Sequence, residues 1–261
     1  MQRLTQTLRQ AEGVGEPLAS IFPAMAKKGW LFRRAQSVMI AAAPNVGKSA
    51  LALYLAIKLE VPTLFLSADT DPFTTILRST AVVSGDSMST IEHAIQVGAG
   101  DYYESMLSEL EHIRFVFDAG PTLEDVDLEV SAFNEVYGEP PALIVVDNLI
   151  NIQCDDGDEF RGLRIVSAAM HQLARSTGAC VLVLHHVTGQ YEDGIDPPPR
   201  RALHGKISKY PEMILTLGKQ GQYLGIACVK NRSAGGADPL AGNAIFLHCD
   251  LDRMVFKDEA E

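Results

Sequence analysis

The stretch SVMIAAAPNVGKSALALYLAIKL, residues 37–59, constrains the fold of this 261-residue chain more than any other segment. Val38 to Ala43 is an apolar run that reads as a buried strand, and Pro44 and Gly47 break it. A helix pattern opens at Lys48, with Leu51, Leu55 and Leu59 at helical spacing. Strand, tight loop, Gly-Lys-Ser and helix make the layout of a phosphate-binding P-loop, here Ala43, Pro44, Asn45, Val46, Gly47, Lys48, Ser49 and Ala50. In such a loop, backbone N–H groups and the positive end of the helix face the phosphates. Lys48 reaches the β/γ oxygens and the Ser49 hydroxyl ligates Mg²⁺. The usual pattern, G-x-x-x-x-G-K-[ST], begins with Gly, and Ala42 stands at that position. An ordinary strand-to-helix turn carrying Gly-Lys-Ser by chance is the bland alternative. The strand before the loop and the helix after it speak against that alternative.

Composition narrows the class. A hydrophobic fraction of 47% with 21% charged residues fits a globular protein with a sizeable core. No apolar run approaches the roughly 18–20 residues that span a membrane. The start, MQRLTQTLRQAEG, lacks the apolar core of a secretory signal. Cys154, Cys180, Cys228 and Cys249 are widely spaced without a CxxC pair, which fits a reducing cytoplasm better than a disulfide or zinc framework. A net charge of −11 argues against a broad basic surface coating nucleic acid, but it leaves room for a few cationic loops in a narrow channel.

Along the chain, strands and helices alternate. Residues 1–34 read as an N-terminal arm, with Leu4, Leu8 and Ala11 on a short amphipathic helix, packing on its own domain or on a neighbouring subunit. Residues 35–261 hold the core. TLFLSAD (63–69) is a second strand, residues 72–112 are mostly helical, and IRFVFDA (113–119) is a third strand. TLEDVDLEVSAFNEVYG (122–138) is a helix with a Thr cap and a Gly stop. ALIVVD (142–147) and CVLVLHH (180–186) are near-continuous apolar strands of the kind buried in parallel sheets, separated by the helix of residues 160–178. From Pro211 onward the spacing predicts consecutive antiparallel strands. The expected architecture is α/β: a doubly wound, mostly parallel sheet with a C-terminal antiparallel β extension.

Asp147 ends the strand ALIVVD, where a carboxylate suits a Walker B acid holding the magnesium shell; a plain strand-end cap is the bland reading. Asp69, at the tip of the strand expected to neighbour the P-loop strand, is the candidate to orient the attacking water. Asp71 is its rival, although Asp-Pro also reads as a helix cap. His185 and His186 end the strand beside Walker B, and His186 is the candidate sensor of the γ-phosphate. The long loop 187–206 carries Arg200, Arg201, His204 and Lys206 on its later half, with Tyr191 and Tyr210 as possible stacking platforms. The acidic run Asp155, Asp156, Asp158 and Glu159 reads either as a solvated turn and helix cap or as a two-metal nuclease centre.

These residues also carry a family resemblance, over roughly residues 35–257. AAAPNVGKSALAL resembles the P-loop of bacterial replicative hexameric helicases of the DnaB type, in which Ala commonly replaces the first Gly. FLSAD falls where that family has a strand-end catalytic Glu, so Asp69 shortens the side chain, and the family's Gln falls on His186. VKNR (229–232), followed by Gly235 and Gly236, resembles the family hairpin whose Lys and Arg reach the neighbouring subunit's ATP site. The resemblance implies a RecA-like motor core that hydrolyses ATP with Mg²⁺. It implies Lys230 and Arg232 acting in trans, Arg232 as the arginine finger, in a homo-hexameric ring. Single-stranded DNA would meet Arg200, Arg201 and Lys206 in the central channel. Two other expectations stand beside it: a nuclease on the same fold regulated by ATP, and a loader or recombination mediator that uses ATP only to assemble.

Overall fold

The computed structural model describes residues 15–154, 157–233 and 235–258. The helix expected through Leu4, Leu8 and Ala11 and the carboxylates Asp155 and Asp156 lie outside the described residues, as does the side chain of Lys206. The described chain forms one nine-stranded sheet in the order β3-β2-β4-β5-β1-β6-β7-β8-β9. Its strands are β1 (Ser37–Ala42), β2 (Thr63–Ser67), β3 (Ile113–Val116), β4 (Leu143–Asp147), β5 (Cys180–His186), β6 (Met213–Gln220), β7 (Tyr223–Asn231), β8 (Ile245–Asp250) and β9 (Val255–Asp258). From β3 to β6 neighbours run parallel, and β6 to β9 run antiparallel.

Burial explains the division. Every residue of β1, β2 and β4 is buried, as are all but the last of β5, so these strands take continuous apolar sequences. In β8 deeply buried residues alternate with more accessible ones, the mark of a sheet face that meets water. Around the sheet lie α1 (Pro23–Lys27), α2 (Lys48–Lys58), α3 (Pro72–Ser84), α4 (Met88–Gln96), α5 (Asp101–Leu107), α6 (Leu123–Tyr137) and α7 (Glu159–Thr177). Their ends follow local chemistry. Asp71 caps α3 by accepting from the Thr74 N–H with Pro72 in the first turn, which is the capping role weighed for it above. Thr122 and Asp125 form a reciprocal capping box on α6, and Gly138 closes that helix at a φ of 74°.

One expectation about order is corrected: β2 does not neighbour the P-loop strand. β1 pairs with β5 in parallel over six residues from Ser37↔Val181 to Ala42↔His186, and β2 pairs with β4 and β3 instead. Chain order does not set sheet order. The seven-residue β5 has its whole apolar run buried and takes the central place beside β1. The connection leaving β1 thus runs toward β2 on one side, and the connection leaving the adjacent β5 runs toward β6 on the other, the arrangement at which α/β sheets open a crevice at their carboxyl ends.

Residues 15–34 pack on their own chain. Leu18, Phe22, Met25, Trp30 and Phe32 are buried, Phe22 stacks on Tyr54 of α2 at 6.0 Å, and Tyr54 meets Phe256 of β9 edge-on at 5.1 Å. Among the described residues no helix is long and apolar enough to cross a membrane.

Candidate nucleotide site

The P-loop leaves β1 at Ala42 and enters α2 at Lys48. Two left-handed residues shape it, Asn45 at a φ of 61° and Gly47 at 106°. Asn tolerates the first, whereas the second favours Gly. Ala42 takes no positive φ and lies fully buried in the strand ladder, so the residue at the start of the motif needs no glycine here. Gly47 is also close-packed: a Cβ there would stand 3.3 Å from Leu251 Cδ2, in the β8–β9 turn.

The cleft over this loop is lined by Pro44, Asn45, Gly47, Lys48, Ser49 and Ala50, by Asp69, Thr70, Arg78 and His186, and by Met88, Leu251 and Met254. The register explains the convergence. Ser67 of β2 pairs with Asp147 of β4, which places Asp69 just beyond the same sheet edge, and Ala42 pairs with His186. Lys48 is buried, and its Nζ donates to the Ala43 carbonyl at 3.2 Å. Burial lowers its pKa, while the Asp147 and Asp69 charges oppose that shift.

Asp147 is 1% exposed, and among the described residues neither carboxylate oxygen has a hydrogen-bond partner. Burial pushes its pKa up to about 6. The Asp69 charge adds to the rise, and the Ser49 hydroxyl, Lys48 and Arg78 work against it. A buried, unpartnered carboxylate beside a P-loop serine is the donor set that a hard, oxygen-seeking cation requires, so Ser49 and Asp147 fit Mg²⁺. Asp69, in contrast, is exposed.

His186 is half-buried, and its pKa is lowered by burial and by the nearby Lys48 charge. Its Nε2 lies 2.6 Å from the Asn148 side-chain amide, a hydrogen bond that fixes the ring at the cleft. Sequence pattern singled out neither Asn148 nor Arg78. The available signals were the position of Asn148 directly after the strand ALIVVD and the lone cation in the helix PFTTILRSTAVVS.

The remaining predicted residues lie elsewhere. Lys230 and Arg232 stand at the end of β7. The pairings Ile214↔Lys230 and Val38↔Met213 place them level with the start of β1, at the opposite sheet edge from the P-loop of their own chain. Lys230 Nζ donates to the carbonyls of Ser208 (2.7 Å), Lys209 (3.1 Å) and Pro211. Arg232 pairs with Glu212 at 3.4 Å and donates to the Lys209 carbonyl at 2.7 Å.

The loop 187–206 is more tightly packed than its composition suggests. Gly194 sits against the P-loop: a Cβ there would come within 2.6 Å of Val46 Cγ2. The Asp196–Pro197 backbone lies across Gly218 of β6, where a Cβ would meet it at 2.3 Å. Arg200 and Arg201 are exposed and line a groove with Leu203, Ser208, Pro239 and Leu240. Tyr191 accepts from Arg201 at 3.3 Å, and Lys209 Nζ stands over the Tyr210 ring at 5.5 Å.

Comparison with known proteins agrees with this geometry. A family model described as an AAA domain matches residues 16–190. The gene 65 protein of Mycobacterium phage L5 is 38% identical over 262 residues, covering 97% of this chain and 97% of that protein. The structure of a DnaB-like replicative helicase, described with its interactions with primase, matches with a TM-score of 0.81 at 16% identity, covering 98% of this chain and 65% of that one. A second solved structure, described as an ATPase domain, matches with a TM-score of 0.78 at 16% identity, covering 98% of this chain and 95% of that one. The fold is therefore RecA-like, that of DnaB-like helicase ATPase domains.

Proposed function

This chain belongs to the AAA domain family, and from that premise we propose that it is an ATP hydrolase that assembles head-to-tail into a hexameric ring and acts on single-stranded DNA. The observation that carries the nucleotide reading is the buried Asp147 carboxylate, unpartnered among the described residues, at the mouth of a P-loop whose lysine donates to a loop carbonyl. Backbone N–H groups of residues 45–49 and the amino end of α2 receive the phosphates. Lys48 exchanges the Ala43 carbonyl for the β/γ oxygens, a charge-assisted contact in a site that burial has already desolvated. Ser49 and Asp147 would hold Mg²⁺, which when bound would supply positive charge to neutralise that developing on the phosphates. Asp69 orients the attacking water. His186, held at the cleft by its contact with Asn148, is the sensor of the γ-phosphate.

Arg232 and Lys230 are the groups offered to the next subunit. Their place at the sheet edge away from their own P-loop supports action in trans, since a heterologous interface apposes two different surfaces. Arg200, Arg201 and Lys206 supply the cationic surface for DNA phosphates. An exposed Asp69 with a shortened side chain also favours a second reading, an assembly module or loader with slow turnover.

Steady-state ATP hydrolysis measured with and without single-stranded DNA, across protein concentration, separates the two. The ring motor gives a rate per subunit that rises with assembly and with DNA. A flat, unstimulated rate overturns the motor reading and leaves the assembly module.

A further inference from the structure

His185 is a fully buried titratable residue at the tip of β5 for which the hydrolytic reading has no use. It follows the apolar run Cys180–Leu184, in a place where an apolar side chain would have no polar group to bury. A buried polar group calls for a partner, and His185 has one: its Nε2 lies 3.0 Å from the carbonyl of His204. Among the described residues its Nδ1 is buried without a partner, so the ring forgoes one hydrogen bond to keep the other.

His204 belongs to the basic segment. The chain between Pro199 and Ile207 carries Arg200, Arg201, His204 and Lys206, and it is bound to the rest of the molecule at several points. The Val187↔Leu203 bridge joins it to the strand end, and Gly205 lies against Leu163 of α7, where a Cβ would stand at 3.0 Å. His204 Nε2 also meets Glu159 Oε1 at 2.9 Å. Just downstream, Lys230 grips the carbonyls of Ser208, Lys209 and Pro211.

Successive residues of a strand face opposite sides of the sheet. His186 lines the nucleotide cleft, so the side chain before it, His185, faces away, toward the basic segment. We propose that His185 is a positioning residue that ties the basic segment 200–206 to the strand end whose next side chain reads the nucleotide, so that the two sites shift together. The inference rests on the nucleotide reading of the cleft above. Burial lowers the His185 pKa to about 4, so the ring stays a neutral donor at physiological pH and the tie persists.

The test compares His185→Leu, which keeps an apolar strand end but removes the donor, with His185→Gln, whose amide can reach the same carbonyl. Hydrogen exchange of residues 200–207 is followed with and without Mg-ATPγS, beside nucleotide affinity and thermal unfolding of each variant. The expected result is a nucleotide-dependent change in exchange for the wild type and His185→Gln, and none for His185→Leu at unaltered nucleotide affinity. Single-stranded DNA affinity of His185→Leu should fall about five- to tenfold, the scale of one hydrogen bond, and lose its dependence on nucleotide. A wild type that shows no exchange change, a His185→Leu variant that keeps it, or a His185→Gln variant that loses it overturns the proposal. A wild type that fails to bind ATPγS overturns the nucleotide reading and the tie with it. A wild type that shows the exchange change but binds no DNA overturns the DNA partner and leaves the tie standing.

Discussion

The nucleotide cleft and the basic segment 200–206 sit on the same molecule but show their chemistry in opposite ways. In the cleft two charged groups are buried: Lys48 and Asp147 are 7% and 1% exposed, both carry shifted pKa values, and neither Asp147 oxygen has a partner among the described residues. Such groups weaken a fold unless something binds them, so the cleft declares a ligand by its own energetics. The basic segment exposes Arg200 and Arg201 to water, where a cation costs nothing to keep and declares nothing. What distinguishes that segment is its backbone, held by His185 and the Val187↔Leu203 bridge, with Lys230 gripping the chain just beyond it. Buried charge marks chemistry, and an over-tied loop marks position.

The largest effect that would break this comparison is at Lys48. Lys48→Ala should abolish measurable ATP hydrolysis, a loss of about 10³-fold or more, because the site loses its fixed cation in a desolvated cleft. Hydrolysis within tenfold of wild type would mean that the buried charge is structural. Arg232→Ala should leave ATP affinity unchanged and lower turnover by about 10³-fold, the scale of a finger supplied in trans. Normal turnover by that variant would remove Arg232 from the catalytic set.

Next comes Asp147, where pH and substitution give opposed signs. Its folded pKa of about 6 lies above the ordinary 3.8, so ionisation costs the nucleotide-free fold stability. That cost is complete above about pH 6 and disappears as pH falls toward 4. Asp147→Asn should therefore raise the unfolding free energy of the nucleotide-free protein at pH 7.5 by roughly 2–3 kcal/mol, seen in denaturant titration, while hydrolysis is lost. Protons compete with the metal for the same carboxylate, so Mg-ATP affinity should weaken up to about tenfold per unit as pH drops below about 6. An affinity flat from pH 7 to pH 5 would remove Asp147 from the metal shell.

The smallest effects belong to the basic segment. Arg200→Ala and Arg201→Ala should each weaken single-stranded DNA binding several-fold and flatten its salt dependence by about one phosphate contact, with nucleotide affinity untouched. If either variant changes nucleotide affinity instead, the two regions are less separate than their burial implies.

Much of the molecule is written locally. The apolar runs of β1, β4 and β5, the Asp71-Pro72 and Thr122 caps and the Gly138 stop are near-neighbour effects, and each falls where its residues indicate. The P-loop is legible for the same reason, since a phosphate cradle is one continuous piece of chain. Single residues flanking those pieces were harder to read. Asn148 looks like any residue after a strand until His186 is found 2.6 Å away.

By itself, then, the sequence determined the α/β class, the position of the phosphate loop, and the strand-end carboxylate and histidine, because all of these depend on periodicity and spacing within a few residues. Only the tertiary structure decided that β5 rather than β2 lies beside β1, that the 187–206 loop packs down on Val46 and Gly218, and that Lys230 grips the root of the basic segment. Those facts join residues far apart in the chain. Their energies come from burial and from satisfying buried donors and acceptors, which no local pattern records.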